Sequence, residues 1–338
     1  GHVYPAIALK ESLKKGNYRY IFFTDNRCKQ ILTDYKLDYQ VIYSGNFSRN
    51  FIAIPFNLVK IITGFFQTLK LFFINRPSLV IGFGGYTSVP SIIAAKMAGI
   101  TTIIHEQNAV MGKANIFLSF ITDYVALTYE ETIGLKTKKK IHTGIPIRQV
   151  FFSQEKKRKK KQSLTLLVIG GSQGAKIFSN IIPEILNSVK PDLLNKISLI
   201  QQAKIEDINK LNSFYKKLKI NYLVKPFFKN IHEEINNADI VISRSGASSL
   251  AEIEACSKLS LLFPLPTSTK NHQFENAIQF KRNNKCFIFD EKNLNIKKIV
   301  KIIEQCIIDP KIYNLKRKTF GSFKIKFEIL IKKCIENS

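Results

Sequence analysis

The chain has 338 residues, 45 % of them hydrophobic, with 52 Lys and Arg against 25 Asp and Glu, a formal charge of +27. This is too long for one small core and suits two domains with ample apolar material, and so basic a balance calls for an acidic partner: nucleic acid, an anionic membrane surface or phosphorylated ligands. The five cysteines are scattered, odd in number and free of any CxxC pair, which suggests neither a disulfide framework nor a zinc site and fits a reducing compartment.

The chain opens on GHVYPAIAL, with no initiator Met, no strand before it and no visible secretory signal. Strands are predicted in the first half at YRYIFFT, DYQVIY, SLVIGFGG, TTIIHEQN and DYVALTY. Those of the second half are SLTLLVIGG, KISLIQQ, NYLVKPF, DIVISRSG, LSLLFPLP and KCFIFD. Many are continuous apolar runs rather than alternating ones, the pattern of parallel strands buried on both faces. Helical stretches between them imply βαβ units and doubly wound sheets, hence an α/β chain of two Rossmann-like domains. They join near residues 147–163, where SQEKKRKKKQS reads as a solvated basic linker or, less simply, a nuclear-localisation or RNA-binding run. Ligands are expected at the carboxyl ends of the strands, in a cleft between the domains. The Lys-, Ile-, Asn- and Phe-rich, Trp-free composition also allows part of the charge to be codon drift.

Residues 50–77, NFIAIPFNLVKIITGFFQTLKLFFINRP, break the pattern. The run is long enough to span a bilayer, but Lys60 and Lys70 lie inside it and Pro55 and Gly64 interrupt it. An amphipathic helix pair on the sheet, exposing an apolar patch ringed by cations, is the reading preferred to a core helix. Phe56, Ile61, Phe65, Phe66, Leu69 and Phe72, with Lys60 and Lys70, are the expected patch.

Small-residue turns follow three of the strands. IGFGGYTSVPS carries Gly82, Gly84 and Gly85; VIGGSQGAKIF carries Gly170, Gly171, Ser172 and Gly174; ISRSGASSLAEI carries Ser245, Gly246, Ala247, Ser248 and Ser249. Glycines let the backbone turn tightly and approach a ligand, and the helix start behind them offers N–H groups to a phosphate. Two such turns in the second half point to a diphosphate. Glu252, a poor phosphate ligand, is placed to accept from ribose hydroxyls or to cap the helix. The polar cluster His105, Glu106, Gln107 and Asn108 ends a buried strand, where catalytic residues gather, although His105 and Glu106 could serve only to brace the loop. HTGIPIR brings Arg148 near the hinge.

Taken in order, GHVYPAIAL, GFGGYTSVPSIIAA, IIHEQN, GIPIR, GGSQGA, SRSGASSLAEI and NHQFENA closely resemble the MurG family, bacterial glycosyltransferases of family 28, over nearly the whole chain. The resemblance implies a GT-B fold and inverting transfer of N-acetylglucosamine from UDP-GlcNAc to the muramyl 4-hydroxyl of lipid I, giving lipid II for peptidoglycan. No cofactor and no obligate catalytic metal are implied. It implies an acceptor domain at 1–148, a linker at 149–163, a UDP-GlcNAc domain at 164–320 and a C-terminal helix at 321–338 returning to the first domain. By the family pattern His2 is the general base, and Gly1, Gly84, Gly85 and Tyr86 take the acceptor diphosphate. Asn108, Arg148, Ser172, Phe228, Ala247, Ser248, Ser249, Leu250, Ala251, Glu252, Gln273 and Asn276 bind the donor: Phe228 offers its backbone to uracil, Glu252 holds the ribose, and Gln273 and Asn276 meet the GlcNAc hydroxyls. The apolar segment implies a peripheral protein on the cytoplasmic face of the plasma (inner) membrane, working with other cell-wall proteins in cell shape and division and not with nucleic acid.

In the family, GH closes a longer glycine-rich turn preceded by a strand. A chain starting at this point is therefore expected to fold poorly or to be inactive. Gln201-Gln202 and His272-Gln273 depart from the family's usual His-Gln and Gln-Gln. Runner-up readings are another GT-B enzyme using a UDP-sugar, such as a diacylglycerol glycosyltransferase or a UDP-GlcNAc 2-epimerase, and a basic nucleic-acid-binding protein. The lysine run lacks the interleaved aromatics that the last of these needs.

Overall fold

The computed structural model describes residues 2–13, 16–45, 53–137, 139–152, 163–171, 176–315 and 321–336. Gly1, Ser172, Gly174 and most of the basic run (153–162) lie outside the described residues. The chain divides into two compact units, Gly1–Gln149 with Gly321–Ser338, and Val150–Phe320.

Unit 1 runs α1 (Val3–Ser12), β1 (Phe22–Thr24), α2 (Lys29–Asp34), β2 (Tyr39–Val41), α3 (Ala53–Ile74), β3 (Leu79–Gly82), α4 (Ser88–Met97), β4 (Thr101–Glu106), α5 (Lys113–Leu118), β5 (Tyr124–Leu127) and β6 (Lys140–His142). The strands β3-β4-β5-β6 form one parallel sheet in that order, and β1 pairs with β2 in a sheet of its own. β6 has no counterpart among the strands predicted above. Its lysine-rich flank masks it, and lysine is what edge strands carry to block further pairing. Asp123 locks the β4–β5 register: its carboxylate accepts from the Thr102 N–H and hydroxyl, both at 2.9 Å, and from Lys96 Nζ at 2.8 Å.

The helix pair expected over residues 50–77 is instead a single helix, α3. Pro55 falls in its first turn, where no intrahelical N–H is lost. Gly64 does not break it; a Cβ there would lie 1.9 Å from the Tyr43 carbonyl oxygen, so glycine is what lets the chain after β2 cross α3. The helix is apolar on two faces, and this corrects the expected patch. Ile61 (8 % exposed) and Phe72 (5 %) belong to the core, and Phe65 and Leu69 pack half-buried against Ala94, Ala95 and Ile100. The outward face keeps Phe56 (69 %) and Phe66 (61 %) and adds Leu58, Val59, Ile62 and Phe73, with Lys60 and Lys70 exposed. By length and composition Ile54–Ile74 could cross a membrane, but its inner face is committed to α4 and the core beneath.

Unit 2 runs β7 (Leu164–Ile169), α6 (Lys176–Asn187), α7 (Pro191–Leu194), β8 (Ile197–Gln202), α8 (Ile205–Lys217), β9 (Asn221–Lys225), α9 (Ile231–Asn237), β10 (Ile240–Ser243), α10 (Ala247–Ala255), β11 (Leu259–Leu262), α11 (His272–Asn283), β12 (Cys286–Ile288) and α12 (Ile296–Ile308). Its parallel sheet has the order β12-β11-β10-β7-β8-β9. β7, β10 and β11 are buried along their whole length, as continuous apolar runs require, and helices α6, α8 and α12 supply the core over them. The final helix, α13 (Gly321–Glu336), packs in unit 1, laying Phe327, Leu330, Ile331 and Cys334 against Leu9, Leu13, Ile103 and Ala126.

Candidate functional site

In unit 2 the strand order reverses between β7 and β10, which pair directly, Ser243 opposite Ile169. Chains leave two adjacent strands in opposite directions at such a point, opening a crevice at their carboxyl ends. The turns emerging there are the two glycine turns of the sequence, Gly170-Gly171 after β7 and Arg244–Gly246 after β10. Gly171 has φ +81°, and Cβ atoms built on Gly171 or Gly246 would meet nothing within 4 Å. The backbone is thus open to a ligand at both turns.

Gly246 is the N-cap of α10, and Leu250 N–H is bonded back to Gly246 O. The N–H groups of Ala247, Ser248 and Ser249 therefore occupy the first turn, where the helix dipole favours an anion. Leu250 and Ala251 are buried, and the Leu250 N–H is already taken by Gly246 O. Glu252 is half-buried one turn beyond Ser248 and Ser249, on their face of the helix.

Side chains from elsewhere in unit 2 brace the described residues of these turns. Arg244 is mostly buried, ion-pairs with Glu291, donates to Phe263 O at 3.1 Å and lies 5.6 Å above the Phe178 ring. Asn276, read from the sequence as a sugar contact, is fully buried and donates from Nδ2 to Ser245 O at 3.1 Å, bracing the turn from behind. Ser245 Oγ is buried with no hydrogen-bond partner among the described residues. Gln202 accepts from Gly170 N–H at 3.2 Å and donates to Pro226 O at 3.2 Å, tying the first glycine turn to the loop that carries Phe228. Phe228 itself points its ring into the protein, so only its backbone could meet a base. Gln273 accepts from Leu265 N–H at 3.0 Å, which leaves its amide nitrogen to reach outward.

In unit 1 the polar cluster after β4 joins the glycine turn after β3. Gly84 (φ +82°) and Gly85 (φ +74°) adopt a left-handed backbone, and a Cβ on Gly84 would stand 3.5 Å from the His2 ring and 3.3 Å from Asn115 Nδ2. The ring packs against both glycines, whose positive φ is what calls for glycine there. His2 Nδ1 lies 2.6 Å from Gln107 Oε1. Gln107 Nε2 reaches Phe83 O at 2.7 Å and His105 Nδ1 at 3.3 Å, and His105 Nε2 reaches Gly144 O at 2.9 Å. His105 is wholly buried and stacks on Phe327 of α13 at 5.3 Å; burial drives its pKa down to about 4. His2 is exposed as a residue, yet the protein packed around its ring lowers its pKa, outweighing the opposing pull of Gln107, Glu106 and the Phe83 carbonyl.

Glu106 is fully engaged in shaping the loop. One carboxylate oxygen accepts from the Asn108 N–H (3.0 Å) and Nδ2 (3.2 Å), the other from Gly112 N–H (3.0 Å) and Asn115 Nδ2 (2.8 Å). Arg148 donates to the Tyr35 hydroxyl at 2.9 Å and lies 5.5 Å over the Tyr4 ring, both within unit 1. Tyr86 is half-buried between the glycine turn and α4. Asn115, Gly112, Arg244 and Phe327 were not singled out in the sequence; Arg244 and Phe327 act through partners far along the chain, and Gly112 and Asn115 through Glu106, six and nine positions back, a spacing that matches no motif.

Residues 165–331 match the Glycosyltransferase family 28 C-terminal domain, and residues 1–127 the Glycosyltransferase family 28 N-terminal domain. A UDP-N-acetylglucosamine–N-acetylmuramyl-(pentapeptide) pyrophosphoryl-undecaprenol N-acetylglucosamine transferase of Rickettsia bellii is 34 % identical over 324 residues, 92 % of this chain and 89 % of that protein. The chain belongs to the MurG family of glycosyltransferases. A Rhodopseudomonas palustris relative of the same name is 34 % identical over 301 residues, 82 % of this chain and 76 % of its own length. The Acinetobacter baumannii MurG crystal structure superposes with a TM-score of 0.74 at 21 % identity, covering 98 % of this chain and 96 % of that one. Family 28 membership and that likeness make the fold GT-B. A UDP-GlcNAc 2-epimerase from Neisseria meningitidis bound to UDP-GlcNAc shares the fold at a TM-score of 0.65 and 13 % identity, covering 98 % of each chain. The epimerase likeness extends to architecture alone, whereas the two MurG relatives match in sequence over 92 % and 82 % of this chain.

Proposed function

We propose that this glycosyltransferase moves GlcNAc from UDP-GlcNAc to the 4-hydroxyl of the muramyl pentapeptide of lipid I, forming lipid II. The relatives' activity supplies the substrates. The observation that carries the reading onto this chain is the His2 ring, seated on two left-handed glycines and held by the loop after β4.

Residues 164–320 take the donor and residues 1–148 the acceptor, with 149–163 linking them and 321–338 returning to the acceptor domain. The diphosphate of UDP lies across the turns after β7 and β10, with Ser172 and the first turn of α10 donating to it. Glu252 accepts from the ribose, the backbone at Phe228 pairs with uracil, and Gln273 meets the sugar, while Asn276 acts from behind the turn. Asn108 approaches the sugar, and Gly1, Gly84, Gly85 and Tyr86 line the acceptor diphosphate. Arg148 would have to exchange the Tyr35 hydroxyl for a phosphate.

In the reaction His2 accepts the proton of the attacking hydroxyl as the C4 oxygen bonds to the anomeric carbon and the bond to UDP breaks, inverting the centre. Charge developing on the leaving diphosphate is met by fixed backbone N–H groups, which need no reorganisation at that moment. The outward face of α3, apolar and flanked by Lys60 and Lys70, supports docking on an anionic membrane surface at its cytoplasmic side, where a lipid-linked acceptor resides.

The test is transfer of labelled GlcNAc from UDP-GlcNAc to a short-chain lipid I analogue, with His2→Ala in parallel. Transfer that disappears in a variant still binding UDP supports the reading. A folded wild-type protein that binds UDP-GlcNAc and never glycosylates the analogue overturns the lipid I assignment and leaves the donor site standing.

A further inference from the structure

We propose that Gln107 is a positioning residue that locks His2 in its Nδ1–H tautomer, so that Nε2 carries the lone pair that receives the acceptor's proton. The inference rests on the reading of His2 as the base.

The argument starts from two backbone carbonyls, which can only accept. Gly144 O lies 2.9 Å from His105 Nε2, so that nitrogen carries the hydrogen. His105 is neutral at physiological pH, because burial holds its pKa near 4, and its Nδ1 is therefore bare. Phe83 O lies 2.7 Å from one end of the Gln107 amide. A carbonyl oxygen turned toward it would set two acceptors against each other, so that end is the NH2 group. The same NH2 stands 3.3 Å from His105 Nδ1, which accepts its second hydrogen. Two independent acceptors thus fix which way the amide points, an orientation that heavy-atom positions alone would leave open.

The other end, Gln107 Oε1, faces His2 Nδ1 at 2.6 Å. An amide oxygen only accepts, so His2 Nδ1 must carry the hydrogen. In the neutral ring the lone pair then sits on Nε2. The ring packs on Gly84 and Gly85, with Nε2 on the Gly85 side, where a built Cβ would stand 4.0 Å from it. The chain of donors runs from His2 through Gln107 to Phe83 and through His105 to Gly144, and each link sets the polarity of the next. Phe327 of α13, stacked on His105, holds the far end of this relay, which gives the returning C-terminal helix a share in the orientation of the base.

The test uses the full chain labelled with 15N in its histidine rings. Five histidines give few signals, and loss of one in His2→Gln assigns it. Above the His2 pKa, Nδ1 should read as protonated and Nε2 as bare. Gln107→Met should mix the tautomers and lower kcat by roughly tenfold to a hundredfold, with the KM for UDP-GlcNAc unchanged, since only the base is mispositioned. His105→Phe keeps the stacking on Phe327 and removes one of the two acceptors, so its effect on tautomer and kcat should be smaller and in the same direction. A wild-type His2 protonated on Nε2, or a Gln107→Met protein with unchanged tautomer and kcat, overturns the proposal. The wild-type spectrum decides even if both variants misfold. An Nδ1–H ring in a protein inactive toward the lipid I analogue supports the lock and overturns the transfer reading, so the two failures are separable.

Discussion

The two units solve the same structural problem alike and the chemical problem differently. Each starts a strand with an aspartate that ties it to a threonine of its neighbour: Asp123 to Thr102 in unit 1, and Asp239 to Thr165 N–H at 2.8 Å in unit 2. Each ends a strand in glycines. Beyond that they part. Unit 2 presents backbone at its candidate site, through Gly170, Gly171 and the first turn of α10, with side chains bracing from behind. Unit 1 gathers side chains, His2, His105, Glu106, Gln107 and Asn115, into one hydrogen-bonded cluster. The contrast follows from the tasks proposed for them. A diphosphate is a diffuse charge, and any array of oriented N–H groups stabilises it. A proton must arrive at one lone pair of defined direction, which only a positioned side chain provides.

The sharpest way to break this comparison is His2→Ala. Transfer should fall by about 10²- to 10⁴-fold while UDP binding, followed by calorimetry, stays at the wild-type level. An equal loss of UDP affinity would mean that the division of labour is wrong.

The next effect concerns stability. His105 has a folded pKa of about 4 against an ordinary value of 6.5, depressed by burial. The unfolded chain therefore takes up the proton first as pH falls. The stabilisation is complete above pH 6.5 and is lost progressively down to pH 4, to the extent of about 3 kcal/mol. Urea unfolding across that range should show the slope in the wild type and a weaker one in His105→Phe, with unit 1 the part that loosens.

Asp123→Asn should destabilise by about 1–3 kcal/mol at neutral pH. Burial pushes the Asp123 carboxyl up, but Lys96 and the two Thr102 donors outweigh it and hold the pKa below the usual range. Its contribution is therefore present above the unfolded value and lost as pH falls through the folded one. The thermal midpoints of wild type and variant should converge in acid. Asp239→Asn, probing the matching tie in unit 2, asks whether the two devices are equivalent.

The smallest effect is expected at Gly246→Val. A side chain there meets open space, so thermal stability should hardly change, while the KM for UDP-GlcNAc rises about tenfold. Unchanged KM would move the diphosphate away from α10.

Much of the fold was legible because strand and helix periodicity is local. The buried runs LTLLVI and IVIS announce β7 and β10, and the glycines after them mark turns wherever the strands come to lie. The edge strand β6 was not, since an edge strand rich in lysine lacks the apolar signature of its neighbours. The amphipathic reading of residues 50–77 identified an exposed apolar surface but assigned Ile61 and Phe72 to the wrong side. Both faces of α3 are apolar, and hydropathy does not say which one α4 covers.

By itself the sequence determined which residue types stand at the strand ends: histidine, glutamine, serine and glycine, with their capacity to donate, accept or make room. Only the tertiary structure decided whom they meet. His2 and Gln107 are separated by 105 positions, and Gly170 and Gln202 by 32. Hydrogen-bond direction depends on the partner's chemistry, and partners so distant are chosen by packing, which no local pattern encodes.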